Sequence, residues 1–144
     1  MTDVFGSWNI APIKADSLRL RAEAKQGGVP DAPADARDDY KCYKAKTAKG
    51  AAKLPKGVTA ALADDFEDRS YSVKKLSRVC LPVARDGELV VGADNLLTCY
   101  KAKRAKGEAA HTQQVGVLRA LDSNALQALD TVTEDELCVP ASTP

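Results

Sequence analysis

Residues 42–50 read CYKAKTAKG, and residues 99–107 read CYKAKRAKG, so eight of nine positions are identical. A second matching segment follows each copy, VCLPV at 79–83 and LCVPA at 137–141. Two blocks that recur in the same order at nearly the same spacing indicate a tandem duplication. The sequence therefore predicts an N-terminal strand and linker over residues 1–38, a first repeat unit with a linking hairpin over 39–95, and a second unit over 96–144.

The chain has four cysteines, and each unit contains two of them. Cys42 and Cys80 are 38 residues apart, and Cys99 and Cys138 are 39 apart. An even count without a Cys-x-x-Cys pair is typical of disulfides rather than of a zinc site, and three pairings are possible. The near-equal separations favour pairing within each unit. The alternative is four reduced thiols in a cytosolic protein, whereas disulfides predict an oxidising compartment.

Short runs of β-forming residues occur in both units. Residues 58–62 and 70–76 are candidate strands of the first unit, with an acidic turn between them. Residues 118–132 of the second unit also fit helical spacing, but the duplication favours strands, with a short helix over 124–130 as the alternative. Asp86-Gly87 lies between two apolar runs and predicts a hairpin that links the units.

The N-terminal region lies outside the duplication. Leu18, Leu20, Ala22 and Ala24 alternate with polar residues, which predicts a half-buried strand over residues 15–25. The Gly- and Pro-rich stretch 27–33 predicts a linker. Because a single strand is not stable alone, it must join the sheet of its own chain or that of a neighbouring molecule. The predicted fold is all-β, with two disulfide-stapled units that form a sandwich or small barrels.

The motif CYKAK at 42–46, followed by VCLPV at 79–83 and used twice, resembles a tandem repeat of uncharacterised function in predicted secreted proteins of environmental bacteria. The resemblance covers both units and leaves residues 1–38 unexplained. It implies export and disulfide bonding, and it brings no catalytic residues with it. Residues 1–6 lack the pattern of a signal peptide, so an extracellular or cell-surface location implies a processed or recombinant chain.

Composition and motifs exclude several classes of function. The 21 basic and 20 acidic residues nearly balance, which argues against a nucleic-acid binder, and no apolar run is long enough to span a membrane. His111 lies in a polar stretch without an evident partner, which predicts a surface histidine. No nucleophile elbow, phosphate loop or dinucleotide fingerprint occurs. We therefore expect no catalytic, cofactor or metal site, and interpret the acidic cluster 64–68 as a solvated turn rather than a calcium site.

Lysines are concentrated in the two copies of the repeated motif. Residues 40–56 contain six lysines and no acidic residue. Lys44, Lys46, Lys101 and Lys103 are candidate contacts to an anionic glycan or to an acidic partner surface. The alternative is that these lysines protect sheet edges from unwanted pairing.

These features predict an extracellular structural protein, a subunit of a surface fibre, pilus or layer. In this hypothesis residues 15–25, with Leu18, Leu20 and Ala22 as contacts, pair with the open sheet edge of the next molecule. Self-association or a surface protein partner would follow. The alternative is a monomeric secreted module that binds anionic polymers or a partner protein.

Overall fold

The computed structural model of the chain describes residues 1–19, 22–25, 38–87, 89–121 and 126–142. Within these ranges the chain forms eleven β-strands and no helix, so the all-β prediction is confirmed and no membrane-spanning helix is present. The strands are β1 (Thr2–Asp3), β2 (Gly6–Ser7), β3 (Ile10–Arg19), β4 (Ala22–Lys25), β5 (Asp39–Thr47), β6 (Thr59–Ala63), β7 (Asp68–Val83), β8 (Leu96–Arg104), β9 (Val117–Leu121), β10 (Leu126–Leu129) and β11 (Glu136–Ser142).

The strands form two antiparallel sheets. The larger sheet has the order β2-β1-β11-β8-β7-β5-β3, and β6 pairs with the first part of β7. The smaller sheet has the order β10-β9-β4. The long strand β7 is the centre of the larger sheet, because β6 and β5 pair along one side of it and β8 along the other.

The two repeated motifs adopt the same structure in both units. Each CYK segment forms a strand, β5 or β8, that pairs with the strand carrying the second cysteine, β7 or β11. In each pair the two cysteines lie directly opposite each other and form a disulfide, Cys42–Cys80 and Cys99–Cys138. The predicted pairing within each unit is confirmed, and β7 and β8 join the units in one sheet.

The units differ after these motifs. In the first unit β7 is continuous, whereas in the second the equivalent chain is divided into β10 and β11. β9 and β10 form a hairpin, so residues 117–121 and 126–129 are strands and the helical alternative is wrong there. Residues 122–125 lie outside the described part of the chain.

The linking hairpin differs from the prediction. Asp86 and Gly87 have φ values of 52° and 82°, as expected for a tight turn, but residues 89–91 form no strand. The side chain of Leu89 is 91% exposed, and the N–H groups of Val91 and Gly92 donate to the Asp38 carboxylate at 2.7 and 2.8 Å. These two N–H groups are bonded to a side chain and not to the backbone of a neighbouring strand. The segment between β7 and β8 is therefore a loop.

The N-terminal strand pairs inside its own chain. β3 forms an antiparallel pair with β5, and β4 pairs with β9 of the second unit. Leu18 is 54% exposed, so the prediction of a half-buried residue is wrong at this position. Leu20 and the predicted linker 27–33 lie outside the described residues. Ala22 begins β4 opposite Leu121.

The two faces of the larger sheet have different chemistry. One face carries the main core, formed by Ala45, Val73, Leu76, Val79, Tyr100 and Val139. The other face carries the cysteines, and the Sγ atoms of Cys80 and Cys99 lie 4.0 Å apart, so the two disulfides are neighbours. Arg78 bridges the carboxylates of Asp16 and Glu136 and so ties β3, β7 and β11 together.

Candidate functional site

A cavity of about 730 Å³ lies beside the main core. Its volume falls within the range of roughly 300–1,000 Å³ typical of small-molecule sites. Five separate stretches of chain form its lining: residue 8, the end of β5 at 46–47, the loop 53–58, the centre of β7 at 72–76, and residues 100–101 of β8. The larger sheet therefore supplies the floor of the cavity, and the loop after β5 supplies a wall.

A bulge in β7 shapes the mouth of this cavity. Val73 pairs with Ala102 and Leu76 with Tyr100, so Lys74 and Lys75 together face the single residue Lys101. A bulge of this kind bends the strand and redirects side chains. Here Val73 and Leu76 are both buried while the two lysines between them are exposed.

Among the residues that the structure describes, six lysines line the cavity and no acidic residue does. All six side chains are exposed, so the ammonium groups surround the opening rather than the floor. Of these six lysines, only Lys101 has a carboxylate of the described residues within salt-bridge distance, that of Asp135 at 3.7 Å. The rim therefore carries a concentrated positive charge although the chain as a whole is nearly neutral. The rim lysines are Lys46, Lys53, Lys56, Lys74, Lys75 and Lys101.

The floor is aromatic, and one carboxylate holds it in place. Asp3 accepts hydrogen bonds from the Tyr100 hydroxyl and, at 3.3 Å, from Trp8 Nε1. Asp3 also accepts hydrogen bonds from the Thr98 hydroxyl and from the backbone N–H of Phe5. Burial, followed by the hydrogen bond to Asp3, raises the pKa of Tyr100. Both aromatic side chains thus use their polar atoms inside the protein.

Close packing at Gly6 sets the position of the indole. Gly6 has a φ of 148°, and a Cβ atom added there would lie 2.8 Å from the ring of Trp8. A glycine is therefore needed where the β1–β2 hairpin crosses the indole. Trp8, which follows the N-terminal hairpin and which the sequence did not connect with any site, lines the cavity.

Only some of the predicted contact residues lie at the cavity. Lys46 and Lys101 line the cavity, whereas Lys44 and Lys103 lie outside its lining. Lys74 and Lys75 also line the cavity but were not predicted as contact residues. A signal was present, because two adjacent lysines that interrupt the alternation of a strand indicate a bulge. Trp8 had no such signal, because its role depends on a hairpin that folds onto a distant strand. Of the predicted strand contacts, Leu18 is exposed on β3, away from the cavity.

His111 is not the solvated histidine that the sequence predicted. Its Nδ1 is hydrogen-bonded to Glu67, and its Nε2 lies 2.6 Å from the Thr131 hydroxyl. The backbone N–H of Gln114 donates to the same hydroxyl at 2.8 Å. These contacts join the β8–β9 connection to the β6–β7 turn and to the segment after β10.

Within the described residues, the acidic cluster 64–68 forms a hydrogen-bonded turn and the cysteines form disulfides. Asp64 accepts hydrogen bonds from the N–H groups of Phe66 and Glu67 at 2.8 and 2.9 Å, so it stabilises the turn. Cys99, Cys138 and Glu136 place possible ligand atoms within 4.8 Å of one another. The two sulfurs, however, are joined in a disulfide and are not available as thiolates.

Comparison with known proteins gives no matching family model, no similar curated protein and no similar solved structure.

Proposed function

We propose that this chain is a binding module whose lysine-ringed cavity takes an anionic ligand. The observation that carries the proposal is the lining itself, which combines six exposed lysines with a buried aromatic floor and, in the described part of the chain, contains no acidic residue. Because each ammonium group repels its neighbours, an anion in the opening relieves that repulsion as well as gaining direct contacts. The disulfides are compatible with an extracellular protein, and we place the module outside the cell or at its surface.

A matched pair of triple variants tests this function. Lys53, Lys56 and Lys75 are rim residues, and their replacement by glutamine removes three charges from the cavity opening. We expect binding of an anionic probe to weaken by roughly 3- to 150-fold, since three exposed charge pairs contribute roughly 0.2–1 kcal/mol each. Dextran sulfate and dodecanoate serve as probes in isothermal titration calorimetry at low ionic strength, where screening is weak.

The control variant removes the same number of positive charges at positions outside the cavity. The substitutions Lys49→Gln, Lys103→Gln and Lys106→Gln remove three exposed lysines that do not line the cavity. Equal weakening by both triple variants would indicate attraction to overall charge and would contradict a specific site. Failure of both probes to bind the unchanged protein would also reject the proposal.

Self-association by strand augmentation is a second candidate, favoured by the position of β3 as the last strand of the larger sheet. Residues 15–19 already pair with β5 of the same chain, and no other strand of the described residues pairs with the outer edge of β3, which is therefore the edge proposed to meet a neighbour. Ile13 and Leu18 are exposed there. If copies assemble, Ile13→Lys with Leu18→Lys should abolish particles above monomer size in light scattering, whereas Val115→Lys, at another exposed position, should not.

A further inference from the structure

The cavity has two chemical zones, and we infer that its ligand is a single-chain anionic amphiphile, a molecule with one anionic head group on a hydrocarbon body. This inference rests on the proposed function and narrows the class of ligand. The rim supplies cations that are exposed to water, and the floor supplies buried side chains of low polarity. A ligand that satisfies both zones needs a charged end and an apolar end.

The polar atoms of the floor are already occupied. The Tyr100 hydroxyl and the Trp8 indole N–H both donate to Asp3, so neither can donate to a ligand without leaving the half-buried Asp3 carboxylate with one donor fewer. Tyr100 is only 1% exposed, and its ring also makes an edge-to-face contact with Phe5 at 5.2 Å between centroids. The ligand therefore meets carbon atoms on this side of the cavity.

The walls of the cavity continue the apolar floor. Val73 and Leu76 contribute from β7, and Leu54, Pro55 and Val58 contribute from the loop after β5. Leu54 and Val58 pack against the main core, so the loop is held to the sheet by the same side chains that line the cavity. Apart from the lysines and the two aromatic residues, Thr47 and Ser72 are the polar side chains of the lining.

This composition disfavours a polysaccharide as the occupant. A sugar unit buried here would carry several hydroxyl groups, and each hydroxyl without a hydrogen-bond partner makes burial unfavourable. An anionic polymer could contact the rim, but it would leave the apolar floor uncovered. A hydrocarbon chain has the opposite property, since its transfer from water to an apolar surface is favourable in proportion to the area buried.

The test measures binding as a function of hydrocarbon length on the unchanged protein. Octanoate and dodecanoate carry the same head group and differ by four methylenes. Each buried methylene tightens binding about fourfold, so dodecanoate, with four more methylenes, is expected to bind roughly 200-fold more tightly than octanoate. Titration calorimetry is run below the concentrations at which these molecules form micelles. Dodecanol, which lacks the charge, is expected to bind more weakly than dodecanoate.

A wall variant provides the second measurement. Leu54→Ser removes an apolar wall residue and keeps every rim lysine, so it should weaken dodecanoate binding about tenfold and leave dextran sulfate binding unchanged. Leu89→Ser, at an exposed position that does not line the cavity, is the matched control. Circular dichroism of both variants verifies that the sheet is retained.

The outcomes separate this inference from the proposed function. Rim-dependent binding of dextran sulfate, together with equal or no binding of the two carboxylates, would overturn the amphiphile and leave the anion-binding function standing. Binding to anionic vesicles without binding of the monomeric amphiphile would likewise overturn it, because the occupant would then be a membrane surface. Loss of all anion binding would reject both proposals.

Discussion

Replacing Asp3 by alanine is expected to destabilise the fold strongly, because one carboxylate satisfies four donors. Its Oδ1 accepts hydrogen bonds from the backbone N–H of Phe5 at 2.8 Å and from Trp8 Nε1 at 3.3 Å. Its Oδ2 accepts hydrogen bonds from the hydroxyls of Thr98 and Tyr100. The carboxylate thus connects the N-terminal hairpin to β8, and the substitution removes all four acceptor contacts at once.

The magnitude follows from the burial of the two hydroxyls. Thr98 is 0% exposed and Tyr100 is 1% exposed, so in the folded protein both hydroxyls depend on Asp3 rather than on water for a hydrogen-bond acceptor. A buried donor left without a partner costs about 1–3 kcal/mol, and two of them cost about 2–6 kcal/mol. We therefore expect Asp3→Ala to lower the free energy of unfolding by about 4 kcal/mol, a large fraction of the ~5–15 kcal/mol of a typical domain.

Urea denaturation, followed by circular dichroism and by the fluorescence of Trp8, the single tryptophan, measures this loss. Asp65→Ala, at an exposed turn position, is the control and should change the stability by less than about 0.5 kcal/mol. In a double-mutant cycle, Asp3→Ala and Tyr100→Phe should cost less together than the sum of the single variants, because both remove the same hydrogen bond. A loss below about 1 kcal/mol for Asp3→Ala, or full additivity, would refute the reasoning.

Three further predictions follow from other parts of the fold. Changing both cysteines of either disulfide to serine should lower the free energy of unfolding by about 4 kcal/mol. The loss should be nearly equal for the two disulfides, because they close loops of 38 and 39 residues, and urea denaturation of both variants in parallel tests this equality. The pKa of Tyr100 is raised in the folded state, so the stability contributed by its neutral phenol is fully present below about pH 10 and is lost as the pH rises further. Tyr100→Phe should flatten this alkaline decline in a pH series of unfolding measurements, and an unchanged decline would contradict the assignment. His111→Ala should cost about 1–3 kcal/mol, because the Glu67 carboxylate, with a side chain 8% exposed, loses its imidazole partner; a cost near zero would mean that the histidine is solvated as the sequence predicted.

Much of the sheet could be predicted because its signals are local or repeated. Alternation along a strand is visible within a few residues, and Tyr71 and Val73, two residues apart in the predicted strand 70–76, are both buried. Where alternation was ambiguous, in residues 118–132, the duplication favoured strands, and residues 118–121 and 126–129 of that region are strands. The pairing of the cysteines could likewise be inferred, because two units with the same spacing of cysteines fold in the same way.

The cavity could be predicted only in part. The lysines of the repeated motif indicated an anionic partner, but only Lys46 and Lys101 of the four selected residues lie at the opening. Whether a lysine faces the cavity depends on the bulge at residues 74–75, which shifts the register of β7 against β8. One extra residue in a strand moves the side chains that follow it to the opposite face of the sheet. A simple pattern of alternation in the sequence does not show where such a residue lies.

The sequence by itself determined that the chain is all-β, that its two units repeat the same pair of strands, and that each unit contains its own disulfide. Only the tertiary structure decided that the N-terminal strand pairs within its own chain, that Trp8 and Tyr100 share one carboxylate, and that His111 meets Glu67 across 44 residues. The physical reason is the range of the interactions. Strand formation is indicated by residues close in sequence, and the duplication is indicated by an internal copy. Hydrogen bonds between distant segments, in contrast, depend on which strand edges pair in the folded chain.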